Sequence, residues 1–200
     1  MRKTPQHARR ENIKKLFDRV LHEKKTVLSP LSITAHESLN DHFTTTDFSF
    51  EDCIDAGIVT ITESRGRGFV DGLFKGLHGH YCEKYSSIRN IKLVDMIVNP
   101  LMKNTKKSLG SEAKTDVIFR VEIVGHGMAE FQNTSRSMIY SGFAAALQVF
   151  EFYVNCEKTF DKISLAVVNA KERNRGDILQ NCMTDLSRLT EVNTYVRKTT

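Results

Sequence analysis

The chain has no paired cysteines. Cys53, Cys82, Cys156 and Cys182 lie 29, 74 and 26 residues apart, so no CxxC occurs. That excludes a zinc knuckle and a thiol-redox motif. Free, mostly buried thiols in a reducing cytoplasm are expected instead. No apolar run approaches the roughly 18 residues of a membrane helix, so no membrane partner is expected. The basic N-terminus carries no apolar segment of the secretory kind. No G-x-S-x-G and no GK[ST] is present, and clustered carboxylates are confined to Glu51, Asp52 and Asp55. Nothing in this pattern calls for an enzyme, a cofactor or a metal.

What remains is an ordinary soluble composition, 40% hydrophobic and 26% charged over 200 residues, enough for one domain with a core of its own. The charge is uneven. Residues 2–25 hold nine Lys or Arg against three acids, a local +6 within a total of +5. The body is therefore close to neutral. A nucleic-acid-binding body would carry its own basic face, so nucleic acid is not the expected partner.

Residues 9–25 read as an amphipathic helix, with Ile13, Leu16, Phe17, Val20 and Leu21 on one face. Ser29-Pro30 is read as its break. Residues 31–36 and 43–50 are expected to be extended, and Ile58–Thr62 to be a short strand. A glycine turn follows, then a helix from about Val70 to Tyr85. "IKLVDMIV", 91–98, is the next strand, with Pro100 as its end. "TDVIFRVEIVG" alternates, with Val117, Phe119, Val121 and Ile123 on one face. Gly125–Gly127 is a hairpin turn, and "MAEFQNTS" a strand. A buried helix is expected over 141–155, a strand over 162–170, and a last helix from Gly176. That helix has Ile178, Leu179, Met183, Leu186 and Leu189 as its stripe.

Strands in runs, each closed by a helix, give an α+β fold with helices packed on one face of antiparallel sheets. The two halves echo each other. Ser64-Arg65 precedes Gly72-Leu73-x-x-Gly76-Leu77, and Ser135-Arg136 precedes Gly142-Phe143-x-x-Ala146-Leu147. Both sit at a strand-to-helix junction, as an internal pseudo-repeat would. The expected organisation is a basic arm over 1–30, a body over 31–156 in units of about 31–90 and 91–156, and a strand-helix extension over 157–200.

The stretch "SRGRGFVDGLFKGLHGHYC", 64–82, admits several chemistries. As a phosphate cradle it places Asp71 where a dinucleotide fingerprint needs glycine. As an arginine-glycine RNA segment it is too short. As a metal site it alternates His78, His80 and Cys82, which a helix points apart. The remaining reading uses the bare backbone. Gly66 and Gly68 permit close approach, and helix-start N–H groups suit a carboxylate. Phe69, Val70 and Ile139 supply an apolar wall. Together they describe a site for a small aliphatic acid or amino acid.

From this turn onward the chain resembles the C-terminal regulatory (LeuA dimer) domain of the α-isopropylmalate and citramalate synthases. "GRGFVDGL", 66–73, is similar to the family's GNGPVDAL. Tyr85-Ser86-Ser87-Ile88 leading into "IKLVDMIV" is similar to its bend and its strand I-x-LVDYKV. Gly110–Ala113 and "TDVIFRVEIV" match its hairpin, and "SRSMIYSGFAAAL", 135–147, its second turn, SDNIIEASWQAL. The series covers about 57–155. Phe69 stands where the family has proline, Arg67 where it has a small polar residue, and Ser135-Arg136-Ser137 where it has an Asp-Asn pair. The catalytic barrel and its H-x-H strand have no counterpart here.

The resemblance implies a non-catalytic homodimer that acts on an attached or partner synthase catalytic subunit. A branched-chain amino acid, leucine or isoleucine, would bind near the two-fold interface. Its contacts would be Gly66, Gly68, Phe69, Val70, Asp71, Ser135, Ser137 and Ile139. Two other readings stand beside it: an interaction protein that kept the fold and lost the ligand, and nucleic-acid binding through the arm.

Overall fold

A computed structural model describes residues 5–54, 57–101 and 113–196, with side chains from residue 8 onward. Helix α1 spans Pro5–Leu21 and is followed by a short 3-10 turn, His22–Lys24. Three strands come next: β1 Leu28–Ser38, β2 Phe43–Asp52 and β3 Gly57–Gly66. Helix α2, Phe69–Cys82, closes the first half. The second half repeats the pattern, with β4 Ile91–Leu101, β5 Lys114–Ile123, β6 Gly127–Ser135 and helix α3 Met138–Glu172. Helix α4, Gly176–Thr190, is last. The strands form two antiparallel three-stranded sheets, ordered β1-β2-β3 and β4-β5-β6. The fold is α+β, two sheet-then-helix units framed by an N-terminal and a C-terminal helix.

The sheets obey the period-two rule on their helix-facing sides. Phe48 and Phe50 of β2 are buried, as are Val117, Phe119, Val121 and Ile123 of β5. Helix α1 buries Ile13, Leu16, Phe17 and Leu21, while Val20 is half-buried. That stripe docks on α3, where Phe17 meets Phe152 with ring centroids 5.5 Å apart.

Helix α3 is the spine. Its 35 residues span about 50 Å at 1.5 Å per residue. Between Ser141 and Cys156 it is buried on nearly every side. Helix α2 runs beside it in the same direction. Phe69 lies at Gly142, Phe74 at Phe150 (5.1 Å between centroids), and the Ser87 N–H donates to Glu157 Oε2 at 2.9 Å. The N-termini of α2 and α3 therefore sit side by side.

Several expectations are corrected. Residues 162–170 are the continuation of α3 and not a strand. Phe160, Ile163, Val167 and Ala170 are buried at helical steps, while Leu165 and Val168 are 62% and 51% exposed. The nine-residue stretch KISLAVVNA carries both periods, and a helix already propagating from Met138 decides between them. The expected boundary at 156/157 falls inside this helix. The spine also begins three residues earlier than the expected Ser141.

Pro100 lies inside β4, paired with Thr115, and does not end it. Pro30 likewise lies inside β1, beside a bulge. Both strands are sheet edges, where a missing N–H costs no ladder bond. The first helix stops at His22, whose φ is +52°, rather than at Ser29-Pro30. β3 continues past Thr62 to Gly66, through a bulge where the Glu63 N–H donates to Asp47 Oδ1 at 2.7 Å. In α4 Met183 is exposed, and Cys182 packs against the core in its place. Of the thiols only Cys156 is buried; Cys82 and Cys182 are half-buried and Cys53 is exposed. Asp55 and residues 102–112, which include Gly110–Glu112 of the resembling hairpin, lie outside the described residues.

Candidate functional site

The two strand-to-helix turns are built differently. In the first, Gly66 is buried and packs on the start of α2. A Cβ at that position would lie 2.1 Å from the Gly72 nitrogen and 2.7 Å from the Asp71 carbonyl carbon. The bare backbone at Gly66 thus serves the protein's own helix. Gly68 caps α2 with φ +112°, a conformation that L side chains rarely adopt, and open space surrounds it. Ser64 ties the strand to the helix, its hydroxyl donating to the Gly72 carbonyl at 2.6 Å.

Asp71 already occupies this turn as an anion. Its Oδ2 accepts from the Arg67 N–H at 2.9 Å and from Lys75 Nζ at 2.7 Å. Burial pushes its carboxyl pKa up, but the bonds from Lys75 and Arg67 outweigh that and hold it below the usual value. The expected carboxylate cradle over Gly66–Val70 is narrowed accordingly. Gly66 is enclosed and Arg67 N–H is spent, which leaves the helix start at Gly68–Val70.

In the second turn Ser137 is the N-cap of α3. Its Oγ accepts from the Tyr140 N–H at 3.2 Å, and its backbone is extended at φ −102°, ψ 118°. Ser135 Oγ accepts from the Ser137 N–H at 3.1 Å and from the Ser141 hydroxyl at 2.8 Å. Both serines expected to touch a ligand therefore hold the turn together. Unlike α2, α3 has no acidic residue in its first turn, so no carboxylate of its own offsets its dipole there. Met138, Ile139 and Tyr140 are each about half exposed, three apolar side chains in a row at the helix start.

Phe69 joins the turns. Half-buried against the core, its ring lies 3.8 Å from where a Cβ on Gly142 would be. The expected residues from the two halves thus converge on one end of the molecule. His78, His80 and Cys82 do not converge. His78 stacks on Phe74 and His80 meets Tyr81 edge-on. Among the described residues no group of three or more His, Cys, Asp or Glu is placed to hold a metal.

A groove of about 1450 Å³ runs from beside the second turn, at Thr134 and Tyr140, along the molecule to α1. α1, the start of β1, β6 and a row of α3 residues line it, including Tyr140, Gln148 and Glu151. Side chains here cap the edges of both sheets. Asn155 holds Thr26 at both main-chain atoms, accepting from its N–H and donating to its carbonyl, each at 2.8 Å. Glu151 Oε2 accepts from the Leu28 N–H at 3.0 Å. On the far wall Arg10 donates to the Glu130 carbonyl. Burial raises the pKa of the Glu151 carboxyl. None of these caps was anticipated. Their partners lie more than a hundred residues away, and no local motif marks them.

Among the described residues no helix is long and apolar enough to cross a membrane. No protein-family model matches this chain, and no curated protein matches it.

Proposed function

We propose that the chain is a non-catalytic regulatory and dimerisation module that binds a small aliphatic amino acid where the two strand-to-helix turns meet. The resemblance to the synthase regulatory domains suggests leucine or isoleucine. One observation carries the reading: two helix N-termini, bridged by Phe69 against Gly142, of which one holds an internal carboxylate and the other none. The ligand carboxylate takes the start of α3, near Met138 and Ile139, where the dipole favours an anion. The ligand ammonium faces Asp71. The side chain lies against Phe69, Val70 and Ile139.

The exposed Met138-Ile139-Tyr140 row is the surface for a second copy, paired isologously about a two-fold axis. Regulation is then linkage: a ligand that prefers one arrangement of the pair shifts whatever synthase catalytic subunit is attached to it. Discrimination between leucine and isoleucine is modest, because one misplaced methyl is worth about 1–3 kcal/mol.

Calorimetry with leucine, isoleucine and valine tests this on the wild type and on Ile139→Glu. Ile139 is half exposed, so the variant keeps the core and adds an anion at the α3 start. Saturable heat that the variant abolishes supports the reading. Silence with all three amino acids, or binding that ignores the substitution, sinks it.

A further inference from the structure

The groove between β1 and β6 has a use that the paired turns do not share. We propose that it receives an extended, carboxylate-bearing peptide, which adds as a strand to the β6 edge and takes Arg10 as its counter-ion.

The edges decide where a strand can enter. β1 and β6 are both terminal strands of their sheets, and both line the groove. β1 is closed, because Glu151 and Asn155 hold the main chain of Leu28 and Thr26, and Pro30 has no N–H to give. β6 is different. The Glu130 carbonyl points away from β5, since it receives Arg10. Antiparallel pairing alternates, so the main-chain groups of Met128, Gln132 and Thr134 also face outward, toward the groove. Gln132 and Thr134 spend their side chains on Asp116, at 2.8 and 2.9 Å, and not on this edge. The seven residues Met128–Thr134 that line the groove span about 23 Å at 3.3 Å per residue, room for a peptide of similar length.

The charges decide what the strand carries. The groove rim is mostly self-neutralised: Lys14 pairs with Glu11 at 3.1 Å, Lys25 with Asp18 at 2.6 Å and Arg120 with Glu130 at 2.7 Å. Arg10 stands outside these pairs. It is half-buried, stacks over Phe131 at 4.4 Å and gives its hydrogen bond to a neutral carbonyl. Burial holds its pKa below the ordinary value, against the pull of Tyr153, Glu11 and Glu130. A planar guanidinium fits a carboxylate with two parallel bonds, which a carbonyl cannot offer. An incoming strand claims the Glu130 carbonyl for its own N–H and presents its carboxylate to the released Arg10. Main-chain pairing gives this mode its affinity and the single ion pair its selectivity.

The probe is a fluorescein-labelled Thr-Val-Thr-Val-Thr-Val peptide in four forms: free C-terminus, C-terminal amide, amide with a central Glu, and free C-terminus with two central prolines. Binding to the full chain is read by anisotropy, and protection of residues 128–134 by hydrogen exchange. The free-carboxylate and Glu forms bind and protect the β6 edge. The plain amide binds at least tenfold more weakly, and Arg10→Ala removes that difference. Arg10→Lys, which keeps charge and stem, retains part of it. The proposal is overturned by no binding of any form, by equal binding of the proline peptide, by a carboxylate preference that survives Arg10→Ala, or by free glutarate competing as well as the peptide.

Discussion

The Phe69 ring of α2 rests on the bare face of Gly142 in α3, 3.8 Å from where a Cβ would be. That contact sets the two helix starts side by side. It also leaves ordinary van der Waals room for one methyl group. Gly142→Ala should therefore stabilise the protein, because alanine is favoured over glycine in a helix interior by up to ~1 kcal/mol. The melting temperature should rise by about 2–4 °C for a chain of this size. Gly142→Leu, at the same buried position, should displace the ring, lower the melting temperature and weaken amino-acid binding.

At Gly66 the opposite outcome is expected. A methyl there meets the α2 backbone at 2.1 Å, and no side chain can move aside to relieve it. Gly66→Ala should cost about 3 kcal/mol, the upper end for an overpacked site. A lower urea midpoint with an unchanged denaturant slope would confirm it. A midpoint equal to wild type would show that β3 and α2 are not packed this closely.

Asn155 carries the junction between α1 and β1. Truncation to alanine leaves the buried N–H and carbonyl of Thr26 without partners. Two orphaned main-chain groups should cost roughly 2–4 kcal/mol. Asn155→Asp keeps the acceptor but loses the donor and buries a charge, so it should not rescue. Thermal unfolding of the two variants checks both statements.

Stability should depend on pH through two groups of opposite sign, the exposed His80 and the half-buried Glu151. His80 packs against Phe50 and Tyr81, with centroids 6.1 and 4.8 Å away. Partial desolvation by these rings holds its pKa below the ordinary 6.5, against the pull of Asp52 and Glu83. The unfolded chain then binds the proton more readily, so stability falls as pH drops below 6.5 toward the folded pKa. Glu151 is the reverse. Burial raises its pKa above 4.5, so the stability that its protonation confers is lost as pH rises through the folded value. Glu151→Gln keeps an oxygen for the Leu28 N–H and removes that loss; its melting temperature at neutral pH should exceed the wild type's. His80→Asn should flatten the slope below pH 6.5.

The sequence makes strands such as β2 and β5 and the short helices readable because their apolar residues alternate or repeat cleanly. β5 shows this best, with Val117, Phe119, Val121 and Ile123 buried as the period-two pattern requires. The stretch 162–170 misleads because its burial depends on α3 packing against α4 and not on its own composition. Edge prolines mislead for a related reason: only the sheet order shows that Pro100 has no ladder bond to lose. At the candidate site the residues can be chosen from the repeat of the two turns, but their division of labour cannot. That Asp71 satisfies its own turn, and that Ser135 and Ser137 cap α3, follow from hydrogen bonds among neighbours. The Arg10, Glu151 and Asn155 caps depend on contacts between distant segments and leave no local pattern at all.

Amide chemical shifts followed by NMR, while leucine is titrated into the full chain, report directly whether an amino acid binds between the two turns. Saturable shifts are expected at Gly68–Asp71 and Ser137–Tyr140, with Ile139→Glu erasing them while the rest of the spectrum keeps its dispersion. Shifts confined to the groove around Glu151 and Phe131, or no shifts with leucine, isoleucine or valine, would contradict binding there.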